Sequence, residues 1–331
     1  MATSGTVAQS NFTILGLVEK AFRRAGKNPA KVSGELLNVA LGSLSMLCAA
    51  LVNDGVNLWC VRKNILNVIP NTAQYPLAAG TDDVLNVLYR TLTILTGTPL
   101  NGVGYTGIIL SSPSVVQNVA GVFTTGGSPS LVIEYSLDNG ATWVSFIPFG
   151  QTQVQAGSNF AVDIQQPVVS SYWRVRDTSG NNLVPSSVNY SLIFNELNMA
   201  QLNRDDYVNL PNKFYQGQKA LQYWYDKQIN PSLYVWPISQ NVLDQIVVYQ
   251  HGQIEDLGSV TNNLAVPQRW YEAIVLKLAC AIWLELPPEE AVPGRLEQLK
   301  PLADEAEAKA GGGENDRSSW RLTPRIGGYT A

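Results

Sequence analysis

The chain has little charge. Only 15% of its 331 residues are Asp, Glu, Lys or Arg, against 45% hydrophobic. That is a thin polar cover for a free-standing protein and points to a surface lying largely against partners. No Lys/Arg-rich stripe accompanies the formal net charge of −4, which argues against a sequence-reading DNA binder. Cysteine is scarce too. Cys48, Cys60 and Cys280 are odd in number and far apart, no Cys-x-x-Cys pair exists, and the single His251 cannot complete a Cys/His metal set. Neither a metal nor another cofactor is expected, and the chain suits a reducing compartment without depending on it. A G-x-x-x-x-G-K-[ST] phosphate loop and a G-x-S-x-G nucleophile elbow are both missing. His251, in "YQHGQIEDL", is read as a turn or interface residue rather than a catalytic base. The opening "MATSGTVAQSNFTILG" lacks a basic n-region and a long apolar core, so no signal peptide is expected. The most membrane-like run, 269–286, carries Glu272, Lys277 and Glu285 and is short for a span. It is read as a helix buried on several sides, and no membrane partner is expected.

What is present is periodicity of two kinds. Phe12, Leu15, Val18, Phe22 and Ala25 recur at helical spacing until Gly26 and Pro29 end the run. A second helix is predicted from Ser33, as its cap, to about Asn53. "NLWCVRKNILNVI" and "AQYPLA" flank Pro70-Asn71-Thr72 and read as a hairpin. From Thr91 to Asn195 charge becomes scarcer still, and short alternating runs follow one another: "YTGIIL", "VVQNVAGVF", "LVIEYS", "TWVSFI", "NFAVDI", "YWRVRD" and "VNYSLIFN". Such strands with turn signals between them predict a β-sandwich. After Glu196, "ALQYWYDK" and "SLYVWPI" form aromatic strands around Asn230-Pro231. A charged helix runs from about 295 to Ala310, where Pro301 must kink it or open a new helix. The expected fold class is therefore α+β. A helix-rich body (1–90 and 196–310) with short strands carries an inserted all-β sandwich (91–195) and an extended C-terminal arm (311–331).

Within the sandwich, Ser136-x-Asp138-x-Gly140-x-Thr142-Trp143 fits the S-x-D-x-G-x-T-W pattern of the Asp-box repeat of sialidase propellers. Asn139-Gly140 tolerates positive φ at both positions, Asp138 can hold turn amides, and Trp143 returns to cover the turn. One hairpin explains all five residues. A propeller would repeat them at a fixed period, and no second copy exists. Hydrolysis would need two carboxylates facing each other across a cleft; Glu134, Asp138 and Asp163 are the candidates, and no enzyme is expected. Trp143, Tyr172 and Trp173 would serve as a glycan-stacking platform, or Trp143 and Trp173 would fill the sandwich core. Tyr223, Trp224, Tyr225, Tyr234 and Trp236 lack accompanying Lys/Arg, so they read as core and subunit contacts rather than a nucleic-acid strip.

Several stretches carry a family resemblance. "ALVNDGVNLWCVRKNILNVI" (50–69), "NRDDYVNLPNKFYQGQKALQYWYDKQINPSLYVWPIS" (203–239), "LAVPQRWYEAIVLKLACAIWLELP" (264–287) and the closing "SSWRLTPRIGGY" resemble head-to-tail adaptors of short-tailed bacteriophages. These are also called tail accessory factors or packaged-DNA stabilisation proteins. The sandwich lies outside the resemblance. The family implies a structural virion protein at the head–tail junction, assembled in the host cytoplasm. It implies a homo-dodecameric ring on the portal protein, with a nozzle or tail fibre on the far side. DNA would pass through the ring without sequence-specific binding. The arm would dock on the portal through Arg317, Trp320, Arg321, Leu322, Pro324, Arg325, Ile326 and Tyr329. Its composition agrees: large anchors along a chain that Pro324 biases to extended geometry, with arginines at every fourth position. The alternative is a phage protein that binds glycans or the host surface through the sandwich.

Overall fold

The computed structural model describes residues 12–53, 58–146, 157, 159–165, 168–254, 259–264 and 266–312. The chain divides into two compact units. One joins Met1–Val61 to Gln253–Ala331; the other is Arg62–Gly252.

The first unit is helical. α1 (Ile14–Ala25) starts where Thr13 Oγ1 accepts the Gly16 amide at 3.2 Å and stops at Gly26, φ 96°, a left-handed cap that suits glycine. It buries Ile14, Leu17, Val18, Ala21, Phe22 and Ala25. α2 (Gly34–Asn53) begins beneath the Ser33 hydroxyl, which accepts the Leu36 amide at 3.3 Å. α4 (Tyr271–Glu285) is the apolar run anticipated as buried, and it is: Ala273, Ile274, Leu278, Ala279 and Ile282 are all within 2% of full burial. It packs against α1, α2 and α5 (Arg295–Gly312). Lys277 of α4 pairs with Glu307 of α5. Pro301 does not open a new helix: α5 continues through it. It stands on the exposed side of one continuous helix, where water can satisfy the carbonyl that loses its amide partner.

The second unit is built on sheets. A six-stranded sheet runs in the order β1 (Val61–Asn67), β17 (Gln245–Gly252), β3 (Thr81–Ile94), β11 (Ser187–Asn198), β6 (Asn118–Val122) and β9 (Asn159–Asp163). A five-stranded sheet has β4 (Gly97–Gly102), β5 (Tyr105–Val115), β10 (Val169–Asp177), β7 (Leu131–Ser136) and β8 (Val144–Ser145). A four-stranded sheet has β12 (Ala200–Gln201), β14 (Gln222–Asp226), β15 (Ser232–Trp236) and β2 (Gln74–Pro76). β13 (Gln216–Gly217) pairs with β16 (Ile238–Ser239), and α3 (Arg204–Val208) is a single short turn of helix.

Two cores form. Leu110, Val119, Phe123, Leu131, Ile133, Trp173, Val175 and Tyr190 fill the sandwich. Tyr75, Val87, Tyr89, Tyr223, Tyr225, Leu233, Val235 and Val248 fill the other. The six-stranded sheet contributes to both: β3 and β17 to the second, β6, β9 and β11 to the first.

The chain is strand-rich (39%) rather than helix-rich (28%). Residues 90 and 195 lie inside β3 and β11, which pair from Leu88–Asn198 to Ile94–Ser191 with one irregularity between Ile193 and Asn195. The hairpin around Pro70-Asn71-Thr72 does not form. Asn71 does turn, with φ 62°, but β1 pairs in the six-stranded sheet and β2 pairs with β15. The aromatic run Ser232–Trp236 offers β2 a better apolar partner than the polar β1.

Candidate functional site

The Asp-box stretch is a structural turn. Asn139 and Gly140 take φ 56° and 88°. Ser136 Oγ donates to Asp138 Oδ1 at 2.7 Å and accepts the Gly140 amide at 2.8 Å. Asp138 Oδ1 also accepts the Thr142 amide at 2.8 Å, and Trp143 Nε1 donates to the Gly140 carbonyl at 3.1 Å. The bonds from Ser136 and Thr142 hold the Asp138 carboxyl down to about 2.

Beside this turn lies the outer face of the five-stranded sheet. Strand period two places Tyr172, Arg174 and Arg176 of β10 outward, while Trp173 and Val175 are fully buried. Trp173 stacks on Phe146 at 5.9 Å and 3°. The expected trio Trp143, Tyr172 and Trp173 is thus divided. Adjacent strand residues cannot share a face, so Trp173 is core and only Trp143 and Tyr172 remain half-buried on the outside.

In register across the sheet, Arg174 stands opposite Glu134 of β7 and Gly107 of β5, and Glu134 opposite Ser145 of β8. Arg174 Nε donates to Glu134 Oε2 at 2.7 Å, Arg176 Nη2 to Oε1 at 2.7 Å, and Ser145 Oγ to Oε1 at 3.1 Å. Burial pushes the Glu134 carboxyl up, but the bonds from Arg176 and Arg174 outweigh it and hold the group below the ordinary carboxylate range. The Arg174 guanidinium lies over Trp143, 3.9 Å from the ring centroid, and 5.0 Å from that of Tyr105. The Tyr105 ring lies across Gly102, where any Cβ would collide with it. Glu134 is 2% exposed, Arg174 16% and Arg176 39%. Among the described residues Nη1 and Nη2 of Arg174 and Nη1 of Arg176 donate to nothing. Sequence reasoning missed Tyr105, Arg174 and Arg176, although the alternation of "YWRVRD" carried the signal for the last two.

A second charged cluster lies in the six-stranded sheet. Arg90, 1% exposed, donates through Nη1 and Nη2 to Asp163 (2.7 and 3.0 Å) and through Nε and Nη2 to Glu196 (2.8 and 2.6 Å). Asp163 also takes Asn118 Nδ2 at 2.8 Å and pairs with Lys63. Burial raises the Asp163 carboxyl, while Arg90, Lys63 and Asn118 together bring it below the ordinary range.

The three carboxylates considered for hydrolysis are therefore each held ionised. Glu134 and Asp163 lie in different sheets, and neither is raised as a general acid requires. His251 belongs to β17 rather than to a turn, and it is buried with Nδ1 3.8 Å from Asp82 Oδ2. Among the described residues no group of His, Cys, Asp and Glu is placed to hold a metal. Tyr223 and Tyr225 are core residues, whereas on the opposite face of their strands Trp224 stacks on Tyr234 and on the α3 residue Tyr207.

In the helical unit the notable surface is α2. Ala40, Leu44, Cys48 and Leu51 form its buried stripe. Val39 and Met46 are 37% and 75% exposed, and over Gly34–Leu51 the mean hydropathy is 1.5 with 22% of the window buried. By length and composition this helix is able to cross a membrane. The eight arm residues from Arg317 to Tyr329 lie outside the described residues.

No family model matches the chain, and no curated protein matches it. Among solved structures it is similar to CBM32-1 from a family 31 glycoside hydrolase of Clostridium perfringens. That match has 10% identity and a TM-score of 0.23, covering 40% of this chain and 94% of that one. A mutant of chitosan-binding module 1 from a chitosanase/glucanase of Paenibacillus sp. IK-5 gives 15%, 0.20, 43% and 97%. Likeness at these TM-scores is too slight to carry fold or function.

Proposed function

We propose that the chain is a non-catalytic structural virion protein. In this reading it is a head-to-tail adaptor whose copies form a ring between portal and tail and surround the passing DNA. The observation that carries the reading is α2. A 20-residue helix with one charged side chain, Glu35, has only 22% of its Gly34–Leu51 window buried among the described residues and leaves Val39 and Met46 exposed. Exposed apolar surface of that kind needs another protein or a lipid against it. The order of the adaptor-like stretches favours the protein, and a ring supplies a neighbouring copy for every α2. The segment 313–331 would be the portal-docking arm, with twelve weak contacts adding by multivalency. A nozzle or fibre protein would meet the far side.

The test is to mix purified full chain with portal complexes and follow sedimentation and particle symmetry. Co-sedimentation as a ring supports the reading. Partition into lipid vesicles with no association to portal would overturn it in favour of a membrane-spanning α2. A second reading, glycan or host-surface binding through the sandwich, is favoured by the unbonded edge of Arg174.

A further inference from the structure

We infer that the outer face of the five-stranded sheet is a receptor for a carboxylate-bearing saccharide, with Arg174 as the anion-binding group. The inference stands whether or not the chain assembles on a portal.

The cluster is charge-unbalanced by construction. Two guanidiniums meet one buried carboxylate, and Glu134 engages Arg174 only at Nε. Glu134 therefore fixes the side chain without using its fork. Trp143 and Tyr105 lie 3.9 and 5.0 Å from the guanidinium carbon, which restricts its rotation, and the edge bearing Nη1 and Nη2 has no hydrogen-bond partner among the described residues. That edge carries the paired N–H groups that match a carboxylate bidentately. Arg176 stands two residues along the same strand face, more exposed and also tied to Glu134, as a second donor for the same anion or its neighbour. Preorganisation of this kind lowers the ordering cost of binding.

The nearby acids do not compete for the fork. Asp138 is committed to Ser136 and Thr142. Asp177, at the end of β10, is committed to Ser130, Ser179 and Leu183. The ligand class follows from what surrounds the cations. Trp143 and Tyr172 are half-buried aromatics meeting at Gly140, where a Cβ would touch both rings. Exposed aromatic surface accepts the C–H faces of a pyranose, and a saccharide bearing a carboxylate satisfies ring and fork together. An acidic protein segment would satisfy the fork but has no equivalent use for the rings.

The experiment titrates the full chain with oligosaccharides of galacturonate, of sialate and of alternating glucuronate/N-acetylglucosamine. Neutral galactose and glucose oligomers and a hexaglutamate peptide are run in parallel. At least one acidic sugar should bind, weakening as salt rises, with the neutral sugars at least ten-fold weaker. Arg174→Lys retains a charge for Glu134 but not the fork, and should lose ten-fold or more. Because Arg174 supports a buried carboxylate, the paired variant Glu134→Gln/Arg174→Gln is measured as well. It removes both charges together and should abolish binding with the thermal transition retained. Absence of binding to every acidic sugar, equal affinity for neutral sugars, or unchanged affinity in Arg174→Lys would each overturn the proposal. Tighter, Arg174-dependent binding of hexaglutamate would overturn it in favour of an acidic protein partner.

Discussion

At Arg90 one guanidinium sits between two carboxylates, and at Glu134 one carboxylate sits between two guanidiniums. The difference is more than one of sign. A guanidinium has five donors, and Arg90 directs donors from all three nitrogens to Asp163, Glu196 and, at 3.4 Å, Gln245. A carboxylate has two oxygens, and Glu134 is saturated by a fraction of what Arg174 and Arg176 carry. The first cluster closes on itself, and the second keeps donors in hand. Inside a sheet the closed arrangement suits holding strands together; on an outer face the open one suits holding something else.

The largest effect should come from opening the closed cluster. Arg90→Ala leaves Asp163 buried with only Lys63 and Asn118, and breaking a buried pair costs about 3–5 kcal/mol. Denaturant unfolding of the full chain measures it, and a loss under about 1 kcal/mol would remove the distinction drawn here. Glu134→Ala should cost less, about 1–2 kcal/mol, because Arg176 can reach water and Arg174 keeps the Trp143 and Tyr105 rings against it. A Glu134→Ala loss equal to that of Arg90→Ala would show that the outer cluster is structural after all. Gly102→Ala must shift the Tyr105 ring. Stability should change by no more than about 1 kcal/mol, while the Arg174 edge loses one of its flanks and saccharide affinity falls several-fold by titration.

The smallest effect is a pH dependence. Asp138 is held at about 2, below its ordinary value of about 3.9. A carboxyl depressed on folding contributes stability that is present above the unfolded value and lost as pH falls through the folded one. Asp163, also depressed, acts in the same direction. Melting temperature should therefore fall below about pH 4, and the gap between wild type and Asp138→Asn should narrow towards about pH 2. A gap constant across that window would mean the turn does not depend on the Asp138 charge.

Much of the fold was readable from local pattern. α1 and α2 follow helical periodicity with recognisable caps, α4 shows as a long apolar run, and the strand runs from Tyr105 to Asn195 alternate as a sandwich requires. Non-local pairing was not readable. Nothing near Pro70 says that β2 will prefer Ser232–Tyr234 to β1, and nothing within β3 says that it will pair with β11 of the sandwich on one side and β17 on the other. At the candidate site the Asp-box residues were understood as a turn. The arginines beside them match no motif, and their partner Glu134 lies 40 residues away in sequence. A strict period-two reading of Tyr172, Trp173, Arg174, Val175 and Arg176 separates core from surface without coordinates.

β3 and β11 have a mechanical consequence. β3 lines one core and β11 the other, and the two are joined as a paired antiparallel ribbon. Ladder bonds lie perpendicular to the strands, so a pull along the ribbon loads every bond at once in shear. The sandwich is thus carried on a stiff two-stranded strut instead of a hinge. A tug on anything it grips would reach the second core as tension, with little of it absorbed by bending.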